Sequence, residues 1–142
     1  MNDKIFYDTN VLCYAYDLNE PAKREICRSL VSGMFNGKHR GIISNQILVE
    51  LYNALTRKLG VEAESARVIV ESFIVSSNWV KIDYSHRTVR AAIDVSRTFR
   101  TPFPDTLIAE TMKENGIVLI MTENEADFAR LPGLDIRNPF IR

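Results

Sequence analysis

The stretch Ile5-Phe6-Tyr7-Asp8-Thr9-Asn10 decides how the chain folds. A short apolar run that ends directly at an acid is typical of a buried strand followed by polar groups. The same pattern recurs at three further places: residues 41–43 before Ser44, residues 79–82 before Asp83, and residues 117–121 before Thr122. Ligands of open α/β sheets bind beyond the carboxyl ends of the strands, so these four positions predict where a site would lie.

Longer helical patterns separate these apolar runs. Residues 45–59 are strongly periodic and stop at Gly60, and residues 104–115 are closed by Gly116, two glycines suited to the ends of helices. Further elements are predicted: helices at residues 21–35, 62–76, 87–99 and 125–130, and a fifth, short edge strand at residues 134–136. Alternating strands and helices predict an α/β fold, with a mainly parallel sheet of about five strands flanked by helices on both faces.

Length and composition predict a single globular domain over residues 1–142. The chain has 18 Lys and Arg against 18 Asp and Glu, so its net charge is zero. This balance argues against tight, non-specific duplex binding but not against a nuclease, because a bound metal supplies local positive charge. We expect Cys13 and Cys27 to be reduced, buried thiols. With no signal-peptide pattern and no bilayer-length apolar run, we also expect a cytoplasmic protein without membrane contact.

Two aspartates are the strongest candidates for chemistry. Asp8 could be a turn or N-cap residue, or a carboxylate aimed into the crevice at the strand ends. Asp105 is aligned on its predicted helix with Ile108, Ala109 and Met112, the inward face. A carboxylate on a buried face must be hydrogen-bonded, paired or metal-bound, although Asp105 could also cap its helix.

Further acids lie close by in the predicted fold. The predicted helix at residues 45–59 has an apolar face that holds Ile47, Leu48, Leu51, Tyr52, Ala54 and Leu55. Glu50 sits at the border of this face, where it could be an ordinary surface residue or lean towards the strand ends. A solvated turn accounts for Glu125 after the fourth strand. Glu123, Asn124 and Asp127 are candidates for a fourth ligand or for supporting groups.

Carboxylates gathered at one crevice repel each other, so protons or a divalent cation must relieve the repulsion. All-oxygen ligands suit Mg²⁺ or Mn²⁺. Neither His39 nor His86 lies near these acids in the predicted arrangement, which disfavours zinc and a histidine-based ribonuclease mechanism.

Taken together, these residues resemble PIN-domain ribonucleases, closest to toxins of the VapC type. Four pieces in order carry the resemblance: Phe6-Tyr7-Asp8-Thr9-Asn10-Val11-Leu12, the segment from Ser44 to Glu50-Leu51, Asp105-Thr106-Leu107-Ile108-Ala109, and the segment from Thr122-Glu123-Asn124 to Asp127-Phe128. The tail from Pro132-Gly133-Leu134 to Asn138-Pro139 is also similar. The resemblance implies a three-layer sandwich with metal-binding acids at Asp8, Glu50 and Asp105, supported by hydrogen bonds from Thr9, Asn10 and Thr122.

One position departs from the family pattern. The family often has an aspartate where this chain has Asn124, a neutral and weaker oxygen ligand. Glu123 or Asp127 would then fill the fourth acidic position, and Asp127 is preferred because it matches the family's acid-Phe pair. Whether one or two metal ions bind stays open.

The implied reaction is metal-dependent hydrolysis of RNA phosphodiester bonds. Asp8 and Asp105 would bind the metal directly, and Glu50 would be a ligand or would orient the attacking water. The alternative is a catalytically weakened PIN domain that binds RNA or protein without cutting, since Asn124 replaces an acid. A dehalogenase-type phosphatase is disfavoured because Asn10 stands where it needs a second aspartate, and Asp83 comes too late for a phosphorelay receiver.

The resemblance also implies partners: a homodimer, and a small antitoxin that blocks the acidic site. The apolar residues of one predicted helix could form the dimer surface or belong to the core: Val68, Val70, Phe73 and Ile74.

Overall fold

A single five-stranded sheet organises the computed structural model, which describes residues 4–141. The remaining residues of the predicted 1–142 domain lie outside the described residues. The strands are β1 (Ile5–Tyr7), β2 (Gly41–Ser44), β3 (Trp79–Ile82), β4 (Leu119–Met121) and β5 (Asp135–Arg137). They are ordered β3-β2-β1-β4-β5, and every neighbouring pair is parallel. The predicted α/β class and parallel sheet are confirmed.

The strand order places a topological switch point between β1 and β4. From β1 the chain builds outwards to β2 and β3, then returns to the other side of β1 for β4 and β5. A crevice forms where successive connections leave in opposite directions, at the carboxyl ends of the two central strands. Asp8 and Thr122 follow those two strands directly.

Seven helices connect the strands within residues 4–141: α1 (Thr9–Tyr14), α2 (Pro21–Phe35), α3 (Asn45–Arg57), α4 (Ala63–Val75), α5 (His86–Phe99), α6 (Phe103–Glu114) and α7 (Glu125–Ala129). All except α1 were predicted, with ends that differ by two residues or fewer. Helix α1 was missed because six residues are too few to show a period, and Thr9, Asn10 and Val11 are weak helix formers. Complete burial of Val11 and Leu12 stabilises it instead.

An aromatic cluster fills the core beside β3. The rings of Trp79 and Tyr7 meet edge to face at 5.4 Å, and Phe73 packs on Trp79 at 5.1 Å. Phe73 is fully buried, so its interpretation as a core residue is correct and a role in a dimer surface is wrong. Val68 and Ile74 on the same helix are 55% and 45% exposed.

Helix α3 buries Ile47, Leu51 and Leu55 as its periodicity predicts. Tyr52, which the same periodicity places on that face, is 41% exposed, and this prediction is wrong. Gln46 is buried instead, because its amide reaches the start of α6.

Both cysteines are free thiols. Cys27 is buried as expected, whereas Cys13 is partly exposed. Across residues 4–141, no helix combines the length and apolarity that a membrane span requires.

Candidate functional site

Asp8 lies at the carboxyl end of β1, where it also caps α1. Its Oδ1 accepts a hydrogen bond from the backbone N–H of Thr9 at 2.8 Å, so the N-cap interpretation is correct. Its Oδ2 accepts from Thr122 Oγ1 at 2.7 Å and from Asn10 Nδ2 at 3.2 Å. Burial raises the pKa of the Asp8 carboxyl above its ordinary value, although these hydrogen bonds favour the charged form. Capping leaves room for a further ligand, because a carboxylate offers about four acceptor positions.

Thr122 links the loop after β4 to the end of β1. It is fully buried, and its Oγ1 accepts from the backbone N–H of Asn124 at 2.9 Å while donating to Asp8. Asn10 fastens the same loop, since its Oδ1 accepts from the backbone N–H of Glu123 at 3.2 Å. This network sets the orientation of Asp8 and of the loop together.

Glu50 reaches the network from α3. Its Oε1 accepts from Thr9 Oγ1 at 2.7 Å, and its Oε2 accepts from Gln46 Nε2 at 3.0 Å. Gln46 Nε2 also donates to the carbonyl of Pro104 at 2.9 Å, which ties α3 to α6. Sequence reasoning did not single out Gln46. Its position one helical turn before Glu50 was the available signal, because residues four apart meet on one helix face.

Asp105 is the third residue of α6, not its cap. Pro102 holds the N-cap position and no side chain makes a capping hydrogen bond, so the interpretation of Asp105 as a cap is wrong. The predicted inward face is correct, since Ile108 and Met112 are buried. The carboxylate of Asp105 lies on this side of α6 and contacts Asn124, in the loop that follows β4.

Electrostatic coupling joins Asp105 to the other acids. Burial, together with the negative charges of Asp8, Asp127 and Glu50, raises the pKa of Asp105 to about 7. Asn124 Nδ2 donates to Asp105 Oδ2 at 2.8 Å and to Asp127 Oδ2 at 3.1 Å. The neutral amide thus stands between two carboxylates and partly offsets their repulsion.

The carboxylate of Glu123 is bound by Tyr14 and Lys23, which lie outside the hydrogen-bond network around Asp8 and Asp105. Its Oε1 accepts from the Tyr14 hydroxyl at 2.6 Å, and its Oε2 accepts from Lys23 Nζ at 2.5 Å. Although burial raises it, hydrogen bonds from Lys23 and Tyr14 lower the pKa of Glu123 below its ordinary value. Both oxygens are already engaged, which disfavours Glu123 as the fourth acid. Sequence reasoning did not identify Tyr14 or Lys23, whose partner lies about a hundred positions away in the chain.

The other two strand ends do not reach this cluster. Ser44 caps α3, with its Oγ accepting from the backbone N–H of Ile47 at 3.4 Å. Asp83 follows the edge strand β3, is exposed, and accepts from Asn45 Nδ2 at 2.7 Å. Among the strands of residues 4–141, β1 and β4 are therefore the ones whose polar ends meet in the acidic cluster around Asp8.

A cleft of about 460 Å³ opens over the network. Asp8, Asp105, Glu123 and Asn124 all contact it, whereas Glu50 and Asp127 are not among the described residues that line it. Its acidic lining distinguishes it from the apolar groove at the opposite end of β4, beside Val118 and Leu134.

The cleft is better suited to a cation that keeps most of its water ligands than to one enclosed entirely by protein ligands. Within residues 4–141, no three His, Cys, Asp or Glu side chains are gathered closely enough to hold a metal ion. Mg²⁺ is often bound through only one or two carboxylates while it keeps several waters. Asp8 and Asp105, the all-oxygen pair at the cleft, fit Mg²⁺ or Mn²⁺ held in that way.

Comparison with known proteins gives one sequence family. The profile described as the PIN domain matches residues 5–134. None of the curated proteins compared with the chain matches it significantly.

Three solved structures illustrate the shared fold. A DNA-bound VapBC from Salmonella typhimurium has a TM-score of 0.68 at 23% identity, covering 96% of this chain and 98% of that chain. VapC20 of Mycobacterium tuberculosis, a toxin that cleaves the sarcin-ricin loop, has a TM-score of 0.68 at 17% identity, covering 88% and 93%. VapBC2 of Rickettsia felis, bound to a promoter DNA fragment, has a TM-score of 0.67 at 20% identity, covering 95% and 98%. At these identities the likeness shows the fold.

Proposed function

This chain belongs to the PIN domain family, and from that premise we propose that it is a metal-dependent endoribonuclease of the VapC type, the toxin of a toxin–antitoxin pair acting in the cytoplasm. PIN domain proteins are nucleases as a family and generally use divalent metal ions. One observation carries the proposal for this chain. Asp8 and Asp105, from distant parts of the sequence, line the same cleft at the switch point of the sheet.

Two carboxylates would hold the cation, which we propose to be Mg²⁺ or Mn²⁺. When bound, such a cation lowers the pKa of a coordinated water and stabilises charge on phosphate oxygens. Asp8 is oriented for this role by Thr9, Asn10 and Thr122. Asp105 would release its proton when a cation binds, because the added positive charge opposes the burial and the acid repulsion that together raise its pKa.

Glu50 and Asp127 complete the proposed catalytic set around this pair. Hydrogen bonds from Thr9 and Gln46 fix the Glu50 carboxylate, so it can orient the attacking water or join the cation. Asp127 shares Asn124 with Asp105 and adds negative charge beside it. We propose Asp127 as the fourth acid, since its carboxylate forms no ion pair with a basic side chain among residues 4–141.

The proposed partners follow from the charge and shape of the surface. The compared VapBC structures are of toxin–antitoxin type, and we propose that a small antitoxin covers the acidic cleft of this chain with basic side chains. We further propose a homodimer that buries the exposed Val68 and Ile74 of α4. RNA is the proposed substrate of the cleft.

One observation favours a second candidate, a PIN domain that binds without cutting. Asn124 already satisfies Asp105 and Asp127 by hydrogen bonds, so the cluster does not depend on a cation for cohesion. A binding module would tolerate Asp8→Asn without loss of function, whereas a nuclease would lose cleavage and keep its fold.

The test is cleavage of a mixed RNA pool in Mn²⁺, with and without a chelator. Wild type is compared with Asp105→Asn and with Asp94→Asn, an exposed acid on α5 outside the cleft. We expect chelator and Asp105→Asn each to abolish cleavage, and Asp94→Asn to leave it unchanged. A folded, Mn²⁺-loaded wild type that leaves all RNA in the pool intact would favour the binding module.

A further inference from the structure

The cleft that holds Asp8 and Asp105 extends along α1 to the C-terminal end of α3. At that end its lining includes Ala54, Lys58 and Leu59. Cys13 and Tyr14 of α1 line the cleft as well. The cleft is therefore longer than the carboxylate pair requires.

Charge is distributed unevenly along this cleft. Its described lining contains five acids, Asp8, Asp17, Glu20, Asp105 and Glu123, and a single basic residue, Lys58. A nucleic acid backbone would be repelled by this surface except where a cation stands. Lys58 is thus the one lining side chain, among residues 4–141, whose own charge attracts a phosphate.

Lys58 is also available for a ligand. It is exposed and takes part in no ion pair within the described chain, where Lys23 pairs with Glu123 and Arg67 with Glu64. Apolar surface from Ala54 and Leu59 lies beside it. A positive point charge next to a small apolar surface suits a nucleotide, with its phosphate on the ammonium and its base against the apolar atoms.

We propose that Lys58 binds the phosphate of an RNA nucleotide next to the one that is cleaved, and so positions the strand across Asp8 and Asp105. This inference rests on the proposed ribonuclease function and deepens it. It makes Lys58 a positioning residue for single-stranded RNA. Its contribution belongs to substrate binding, because the ammonium acts through the backbone of the RNA strand.

The neighbouring residue Arg57 allows a purely structural role of Lys58 to be distinguished from a role in RNA binding. Lys58 is the C-cap residue of α3, where a positive charge interacts favourably with the helix dipole. Arg57 occupies the last turn of the same helix, is also exposed, and does not line the cleft. Arg57→Gln therefore removes an equal charge from the same helix end without touching the proposed RNA path.

The experiment measures cleavage of a short single-stranded RNA in Mn²⁺ as a function of salt, for wild type, Lys58→Gln, Lys58→Arg and Arg57→Gln. We expect Lys58→Gln to lower kcat/KM about tenfold, mainly through KM. The slope of log kcat/KM against log salt should become shallower by about 0.7, the value for one contact with a single strand. Lys58→Arg should restore both, and Mn²⁺ affinity measured by titration should be unchanged in Lys58→Gln.

The outcomes distinguish the two proposals. A wild type that cleaves while Lys58→Gln keeps its salt slope and KM would overturn the role of Lys58 alone. The same conclusion holds if Arg57→Gln changes KM and the salt slope as much as Lys58→Gln does. A folded wild type that cleaves no RNA would overturn the ribonuclease function, and the Lys58 inference with it.

Discussion

The side-chain amide of Asn124 donates a 2.8 Å hydrogen bond to the carboxylate of Asp105. The same nitrogen donates to Asp127 at 3.1 Å, so one neutral group serves two acids. Repulsion from Asp127 is one of the causes that raise the pKa of Asp105. Asn124 therefore does in the cation-free protein part of what a divalent ion would do.

Asn124→Asp should lower the stability of the metal-free protein and raise its affinity for Mn²⁺. The substitution removes a donor and places a further negative charge beside Asp105, which at pH 8 should cost about 1–3 kcal/mol of unfolding free energy. A divalent cation should recover most of that loss, because carboxylates bind Mn²⁺ better than amides do. Thermal unfolding with and without Mn²⁺, together with a Mn²⁺ titration, measures both effects.

Asn45→Asp is the matched control for this prediction. Asn45 donates to Asp83 at 2.7 Å, so the substitution makes the same chemical change at an exposed pair outside the cleft. Mn²⁺ should leave its stability almost unchanged. Equal recovery of both variants by Mn²⁺ would show that the cation acts elsewhere than at the cleft.

The stability of the metal-free protein should fall as pH rises towards 7. Burial and neighbouring acids raise the pKa of Asp105 to about 7, against 3.8 as the ordinary value, so the folded state holds its proton more tightly than the unfolded state. The stabilisation from this proton is complete below about pH 4 and is lost by about pH 7. At 1.36 kcal/mol per pH unit the loss is at most about 4 kcal/mol, and solvent screening reduces it to roughly 1–3 kcal/mol.

Denaturant unfolding at pH 5 and pH 8, in chelator, measures this effect through the difference between wild type and Asp105→Asn. The amide cannot titrate, so the variant should gain stability relative to wild type as the pH rises. Mn²⁺ affinity should rise over the same pH range, because Mn²⁺ competes with the Asp105 proton and binds more weakly below pH 7. A difference between the two proteins that does not change with pH would mean that Asp105 titrates normally.

Gly41→Ala should destabilise the fold without altering the cleft. A Cβ at Gly41 would lie 2.5 Å from Trp79 Cζ3 and 3.1 Å from Met34 Cγ, inside a packed core. Overpacking of this kind costs about 1–3 kcal/mol, because the indole cannot move without displacing its aromatic neighbours. Urea unfolding measures the loss, and Mn²⁺ affinity of the folded protein should match wild type.

Gly33→Ala provides the opposite case on the neighbouring helix α2. The nearest atom to an added Cβ is Lys38 Cδ at 3.9 Å, so the methyl group has room. Removing a glycine from a helix should stabilise the protein by about 0.5–1 kcal/mol. A destabilising Gly33→Ala would contradict the packing described for α2.

The sequence was sufficient to predict the helices and strands with a clear hydrophobic pattern, and the polar residues that directly follow the strands. Asp8 and Thr122 were identifiable because each directly follows an apolar run, and parallel strands end at one edge of the sheet. The order of the strands in the sheet could not be predicted from these patterns. Asp83 follows an equally clear strand, but β3 lies at the edge of the sheet and its acid stays outside the cleft.

Contacts between distant segments account for the remaining differences. Helix α1 is too short to show a period and depends on burial of Val11 and Leu12. The pairing of Glu123 with Lys23 joins residues that no local pattern connects. Gln46 has the polar character of a surface residue and is buried only because α6 supplies the Pro104 carbonyl. Each of these features follows from tertiary packing, which local propensity does not encode.

The hydroxyl of Thr122 is fully buried between two elements of the site. It donates to Asp8 Oδ2 at 2.7 Å and accepts from the backbone N–H of Asn124 at 2.9 Å. Thr122→Val keeps the shape of the side chain and removes both bonds, together with a 3.4 Å bond that Asn10 Nδ2 donates to the same hydroxyl. We expect a loss of about 1–3 kcal/mol in urea unfolding, because the buried Asp8 carboxylate loses one of its hydrogen bonds and the backbone N–H of Asn124 loses its acceptor.

Thr122→Ser separates the hydroxyl from the methyl group. It keeps both hydrogen bonds and should lose only about 1 kcal/mol, for one buried methyl group. Mn²⁺ affinity should fall in the valine variant, because Asp8 and the Asn124 loop lose their common anchor, and should stay near wild type in the serine variant. Valine and serine variants with the same Mn²⁺ affinity would mean that the hydroxyl stabilises the fold without positioning the acids, and that Thr9 and Asn10 are sufficient to orient Asp8.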